Sequence, residues 1–243
     1  MIADSSALPE QVVRDVLQSA FNSAGQRCSA LRVLFLQSDI APHVIELLAG
    51  AMAELRVGDP LDLDTDVGPV IDAKSRLSLL QHVERMRREA RPIAETDLPV
   101  ETRHGTFVAP QAYEVSAFET IDREVFGPIL HVVRFDGHDL DGVIEAINRS
   151  GYGLTLGIHS RVGDTADYIR RRARVGNIYV NRNMIGAVVG VQPFGGEGLS
   201  GTGPKAGGPH YLTRFTTERV FTVNTASVGG NATLLALDES SSR

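Results

Sequence analysis

The sequence predicts an α/β fold: a mostly parallel sheet flanked by helices. Two observations carry that expectation. Segments with apolar residues at helical spacing alternate along the chain with short, continuous apolar runs. Runs of that kind are strands buried on both faces, which is how parallel sheets are built. The length of 243 residues, with 42% hydrophobic and 22% charged residues, suits a soluble domain with a sizeable core.

The elements follow in order. "MIADSS" passes from an apolar, strand-like pair straight into a helix start. Ser6 can cap that helix and Pro9 fits its first turn, while Val12, Val13, Val16, Leu17, Ala20 and Phe21 form its apolar stripe. Gly25 stops it, and Ala30 to Leu36 reads as a buried strand. A second helix follows Asp39, with Val44, Leu48, Met52 and Leu55 on one face. After the Gly-, Pro- and Asp-rich loop "VGDPLDLDTDVGPVID", a third helix carries Leu79, Leu80, Val83 and Met86. Thr106–Val108 and Ala112–Val115 read as extended chain, and "GPILHVVRF" as a strand. Leu140, Val143, Ile144 and Ile147 mark a fourth helix, "LTLGIHS" a strand, Ala166 and Ile169 a fifth helix, and "GNIYVN" a further strand. "ERVFTVN" alternates like a strand with no helix after it, a pattern suited to pairing with another sheet. The last residues form a polar tail.

Composition excludes several classes. A net charge of -6 leaves no basic footprint for nucleic acid. No apolar run approaches the roughly 20 residues of a membrane-spanning helix, and no signal peptide opens the chain. The seven histidines are scattered without ligand spacing, so no metal site is expected. Gly196, Gly198 and Gly201 have the G-x-G-x-x-G spacing, but "TGPKAGGP" follows and its prolines forbid the helix that a dinucleotide fingerprint must open. A single cysteine, Cys28, rules out internal disulfides and fits a reducing, cytoplasmic setting.

Cys28 lies on the corner between the first helix and the first long strand. Arg27 beside it favours a thiolate, and a corner exposes main-chain amides that can hold an oxyanion. A lone cysteine is also a common small core residue. Residue chemistry by itself leaves both roles open.

Five stretches break the tie. "SAGQRCSALRVL" resembles the G-Q-x-C nucleophile segment of the NAD(P)-dependent aldehyde dehydrogenase superfamily. "VGDPLDLDTDVGPVID", "REVFGPIL", "GNIYVN" and "QPFGGEGLSGTG" resemble, in order, its VG(D/N)P…GP loop, E-x-F-G-P motif, G-x-x-x-x-N strand and P-F-G-G-x-x-x-S-G loop. Within the superfamily, "KAGGPHYL" and the surroundings of Cys28 are most similar to the glutamate-semialdehyde (1-pyrroline-5-carboxylate) dehydrogenases of the proline utilization A type.

The resemblance implies that Cys28 attacks the aldehyde carbon to form a thiohemiacetal and then a thioester. Glu124 and Phe126 correspond to the residues that hold the NAD nicotinamide ribose and flank its ring. Ser29, the amides of Gly207 and Gly208, and Phe215 correspond to the anchor for the substrate's carboxylate and methylenes. Arg27 and Asn181 would stand behind these groups. Residues 1–215 would be an aldehyde dehydrogenase catalytic domain, 216–226 an oligomerisation strand joining copies of the chain, and 227–243 a tail. The family's E-x-G-G general base and its NAD-binding domain are not among these residues, so the chain is expected to be an N-terminally truncated portion with little turnover by itself. Another semialdehyde substrate, such as succinate semialdehyde, and a non-catalytic assembly module are the alternatives.

Overall fold

The structure, a computed structural model, describes residues 1–201 and 203–224. It divides into two units, Met1–Gly208 and Pro209–Arg243. The first unit holds the sheet. Its elements are β1 (Ile2–Ala3), α1 (Pro9–Phe21), β2 (Val33–Gln37), α2 (Ala41–Ala53), α3 (Ala73–Glu89), β3 (Arg91–Glu95), β4 (Gln111–Glu114) and β5 (Ile129–Phe135). There follow α4 (Leu140–Arg149), β6 (Tyr152–Gly153), β7 (Thr155–His159), α5 (Gly163–Arg172), β8 (Asn177–Val180) and β9 (Glu197–Gly198).

Seven strands form one sheet in the order β3-β4-β5-β2-β1-β7-β8. Every neighbouring pair is parallel except β3–β4. The two-residue β1 sits in the middle, with Ile2 opposite Phe35 on one side and Ile158 on the other. β6 and β9 make a separate antiparallel ribbon. The expected α/β architecture, a mostly parallel sheet flanked by helices, is the one observed.

The helices form where their apolar stripes can be buried. In α1, Val12 and Val16 are fully buried, and α1 packs against α2, whose buried stripe is Val44, Leu48 and Met52. Asp72 caps α3 by accepting the Ser75 N–H at 2.7 Å, which holds its carboxyl below the usual carboxylate range. β5 shows why a run such as "ILHVVRF" belongs in a parallel sheet: six of its seven residues are buried.

Four expectations change. Ser6 does not cap α1: Leu8 occupies the cap position, and the Ser6 hydroxyl donates to Asp4 at 2.6 Å and accepts the Arg161 N–H at 2.8 Å. α1 ends at Phe21 rather than running on to Gly25, and the first long strand begins at Val33 rather than Ala30. Thr106–Val108 belongs to no strand, and its Thr106 carbonyl accepts the Val70 N–H at 3.0 Å. β3 was not anticipated, because "RPIAE" is polar and carries a proline; such a strand is tolerable only at a sheet edge, where β3 lies.

In the second unit, Leu212–Phe215 forms a single 3₁₀ turn and the Tyr211 and Phe215 rings stand 5.4 Å apart. Residues 216–224 pair with no strand among the described residues, and Val220 and Phe221 are exposed. The last two residues of the expected strand, 225 and 226, and the expected tail fall outside the described residues.

Four basic groups are buried in the core of Met1–Gly208 or against it. The Met1 amine donates to the Val33 carbonyl at 2.8 Å, and burial lowers its pKa from 8.0 to about 5. Burial also lowers His82 and His131 to about 4, and His159 shifts down for the same reason. A base whose folded pKa lies below its unfolded value binds fewer protons when folded, so stability falls as pH falls. The amine contributes a slope of about 1.4 kcal/mol per pH unit between pH 8 and 5, and the histidines steepen it below pH 6.5. Urea-unfolding midpoints are therefore expected to drop steadily from pH 8 to pH 5. A flat or rising series would contradict this account of the core.

Candidate active site

Cys28 stands on a corner whose backbone is unusual. After Phe21 the chain turns through Ser23, Ala24 and Gly25 with φ of 58°, 53° and 64°. Three consecutive left-handed residues, two of them not glycine, cost about 1–2 kcal/mol each for the non-glycine pair. Surrounding contacts hold the corner in place. The Gln26 N–H donates to the Ser23 carbonyl at 3.0 Å, and the Arg27 Nε donates to the Ser23 hydroxyl at 2.9 Å. Gln26 Oε1 accepts the Ile71 N–H at 2.8 Å while its Nε2 donates to the Pro69 carbonyl at 3.3 Å. That pair of bonds fastens the corner to the Gly-Pro end of the acidic loop.

Gly25 is required for a second reason. A Cβ there would overlap the Gly127 carbonyl, besides meeting the Ala20 carbonyl at 2.9 Å. The backbone of the Cys28 corner thus lies directly on the backbone of the "EVFGP" stretch. The same device recurs at Gly176, where a Cβ would overlap the Gly195 carbonyl. Asn177 next to it donates to the Pro193 carbonyl at 3.1 Å and accepts the Gly195 N–H at 3.3 Å.

Cys28 is exposed and lines an open cavity of about 880 Å³ together with Arg32, Glu124, Phe126, Tyr152 and Ser200. Among the described residues, the Cys28 backbone N–H has no hydrogen-bond partner. A nucleophilic sulfur with an unengaged amide beside it is what capture of a carbonyl carbon needs: the amide stabilises the oxygen as it gains charge. Glu124 points one carboxylate oxygen, Oε1, at Arg32, which donates from Nε at 3.2 Å and from Nη2 at 3.1 Å. Oε2 stays available as an acceptor. Phe126 is about half exposed, with the Arg32 guanidinium 4.7 Å from its ring centroid. A carboxylate acceptor and an exposed ring suit the ribose and nicotinamide of NAD.

The sequence-predicted residues do not all meet at this cavity. Cys28, Glu124 and Phe126 do. Ser29 is buried behind the corner, its carbonyl accepting the Thr155 hydroxyl at 3.3 Å. Gly207 and Gly208 are not among the cavity's lining residues, although their neighbour Ala206 is. The Gly208 amide already donates to the Lys205 carbonyl at 3.0 Å. Phe215 belongs to the second unit. Arg27 is engaged with Ser23 on the outside of the loop. Asn181 lies after β8 at the opposite edge of the sheet, where its side chain accepts the Ser160 N–H at 3.0 Å and donates to the Ser160 carbonyl at 2.8 Å. It ties two strand ends together, away from Cys28.

Sequence reasoning missed three residues that build the site: Gln26, Lys205 and Arg32. The Lys205 ammonium bonds the Gly176 carbonyl and reaches Asn177 Oδ1 at 3.2 Å, which fixes the "KAGG" loop to the start of β8. Arg32 had a visible signal, a lone cation opening the apolar run "RVLFL".

Comparison with known proteins identifies the family. The aldehyde dehydrogenase family matches residues 1–221. The chain belongs to that family. Among curated proteins, the bifunctional protein PutA of Salmonella typhimurium is 58% identical over 224 residues, which are 90% of this chain and 17% of that protein. A 1-pyrroline-5-carboxylate dehydrogenase of Geobacillus sp. is 35% identical over 214 residues, 87% of this chain and 41% of that enzyme. A crystal structure of a Bradyrhizobium japonicum Proline Utilization A (PutA) mutant superposes with a TM-score of 0.90 at 60% identity, covering 94% of this chain and 23% of that one. The chain therefore spans less than half the length of each of these relatives.

Substituting Gly25 tests the corner directly. Gly25→Ala adds a Cβ where the Gly127 carbonyl sits and disfavours a φ of 64°. It is expected to lower stability by about 2 kcal/mol or more, read as a shifted urea midpoint. Gly50→Ala, at a helical position where a Cβ meets nothing within 4 Å, should not destabilise the chain.

Proposed function

We propose that this chain is the nucleophile-bearing part of an NAD-dependent L-glutamate γ-semialdehyde dehydrogenase acting in proline catabolism. The observation that carries this is the exposed Cys28, with its unengaged amide, in one cavity with Glu124 and Phe126. The names of the relatives, PutA and 1-pyrroline-5-carboxylate dehydrogenase, support the substrate class.

In this reading the Cys28 thiolate adds to the aldehyde carbon, and the new oxyanion is held by the Cys28 N–H. Bound NAD would supply the hydride acceptor, held at Glu124 and beside Phe126. The acyl group is then left on Cys28 Sγ as a thioester until water releases the carboxylate and regenerates the thiol. Ser29, Gly207, Gly208 and Phe215 are proposed to anchor the substrate's α-carboxylate and methylenes. With the Gly208 amide engaged at 3.0 Å, Gly207 is the amide of that pair better placed to bind. Residues 216–226 are proposed to join copies of the chain, Val220 and Phe221 being exposed there. No helix among the described residues is long and apolar enough to cross a membrane.

No E-x-G-G sequence occurs in these 243 residues. A missing general base typically removes 10²–10⁴-fold of rate, that is about 10³-fold, so NADH production by the chain alone is expected to be very slow. In a full-length protein containing it, Cys28→Ala should reduce NADH formation from glutamate semialdehyde by about 10³-fold or more. Gly207→Val should raise KM for glutamate semialdehyde more than for an aldehyde without an α-carboxylate. Wild-type preference for succinate semialdehyde, or full activity of Cys28→Ala, would overturn the reading.

A further inference from the structure

We propose that Arg32 is a positioning residue that joins the Cys28 corner to Glu124, so that nucleophile and cofactor-side carboxylate are set by one guanidinium. This goes beyond the roles proposed above and rests on them for its functional meaning.

The geometry is specific. Nη1 donates to the Gly25 carbonyl at 2.5 Å, and Nη2 to the Arg27 carbonyl at 3.0 Å. Those two carbonyls bracket Gln26 on the approach to Cys28. Nε and Nη2 together hold Glu124 Oε1, and the guanidinium carbon stands 4.7 Å from the Phe126 ring centroid. One rigid, planar cation therefore contacts both the loop that presents the thiol and the stretch that presents the carboxylate and the ring. A lysine ammonium cannot span these acceptors, because it is a point donor on a flexible stem. Arg32 is mostly buried, and burial lowers its pKa while the neighbouring Glu124 carboxylate opposes that shift.

Arg32 is itself fixed from behind. Its carbonyl accepts the His131 N–H at 3.0 Å and lies 3.1 Å from His131 Nδ1. His131 Nε2 and His82 Nε2 are 2.8 Å apart, and His82 Nδ1 lies 3.4 Å from Arg85 Nη2. With both rings neutral, one consistent set of tautomers satisfies the chain. His131 donates from Nδ1 to Arg32, His82 donates from Nε2 to His131, and Arg85 donates to His82. Arg85 Nη2 also donates to Asp122 at 3.0 Å, two residues from Glu124. The network closes on itself: the stretch from Asp122 to Phe126 is braced by one arginine at each end, and the two arginines are connected through the histidine pair.

Removing one or the other member of the Arg32–Glu124 pair changes the charge beside the Cys28 corner in opposite senses, so the two changes predict opposite effects, which a loss of structure cannot mimic. The test measures the iodoacetamide alkylation rate of Cys28, the only cysteine, in the 243-residue chain, with urea midpoints as the control on folding. Arg32→Gln should slow alkylation about tenfold, since it removes the cation nearest the corner's carbonyls. Glu124→Gln should speed it, since the Arg32 charge is then no longer neutralised. The two effects should be non-additive in the double variant. Arg32→Lys should recover less than half of the loss, because the charge returns without the fork. If Arg32→Gln does not fold, the comparison is with wild type alone: Arg32→Lys should be alkylated more slowly than wild type and Glu124→Gln faster. Rates within twofold of wild type for folded variants, shifts in the same direction, or full rescue by Lys would overturn the proposal. The readout needs neither aldehyde nor NAD, so failure of the dehydrogenase reading in the full-length assay would leave this result standing, and the reverse.

Discussion

The site depends on a contact in which no side chain takes part. Gly25 and the Gly127 carbonyl meet backbone to backbone, leaving no volume for a Cβ. That contact sets the distance between the loop holding Cys28 and the stretch holding Glu124 and Phe126. It also explains why the corner is left-handed over three residues. Only with the chain turned back on itself after Phe21 can Gly25 reach Gly127 and still leave Cys28 exposed. The strain at Ser23 and Ala24 is offset by bonds that converge on the same few residues from Gln26, Arg27 and Arg32. Strain confined to a functional corner and offset by its surroundings is the usual arrangement where geometry matters more than stability.

Seen this way, the five motifs form one packed assembly. The Cys28 segment reaches the acidic loop through Gln26 and the "EVFGP" stretch through Gly25 and Arg32. "GNIYVN" reaches the "QPFGG" loop through Gly176 and Asn177, and Lys205 adds the "KAGG" loop to the same place. Glycines dominate these motifs because main chain packs on main chain there. Their spacing in sequence is arbitrary from the standpoint of chemistry, and becomes intelligible only once the loops are seen to touch.

Much of this was legible in the residues. The alternation of periodic and continuous apolar runs sufficed for the parallel sheet, since burial on both faces leaves a strong mark on β2, β5 and β7. Cys28, Glu124 and Phe126 were recognisable from local motifs. What stayed hidden depends on contacts distant in sequence. Ser6 reads as a helix cap, yet its hydroxyl is taken by Asp4 and Arg161, the latter 155 residues away. Arg32 reads as the polar start of a strand until Glu124, 92 residues later, is placed beside it. Asn181 shares a motif with residues near the site, but a strand carries its two ends to opposite edges of a sheet. Only the beginning of "GNIYVN" faces the "QPFGG" loop.

That last point decides where chemistry can occur in this fold. Parallel strands place all their starts on one edge, and in open α/β sheets ligands usually bind at the other, beyond the carboxyl ends. Here the relation is reversed. Met1, Arg32 and Thr155, at or just before the starts of β1, β2 and β7, line the cavity of Cys28. The carboxyl ends hold only a smaller cavity of about 200 Å³, and direct bonds tie its surroundings together: Asn181 to Ser160, Ser6 to Asp4, and the Asp4 N–H to the His159 carbonyl at 3.1 Å. Among the described residues no α-helix N-terminus lines the cavity, so the charge there comes from side chains. Arg32 and Glu124 contribute to it beside Glu119, Asp122, Arg123 and Arg149, and the position of Arg32 just before β2 lets one guanidinium touch both the Cys28 corner and the Glu124 carboxylate.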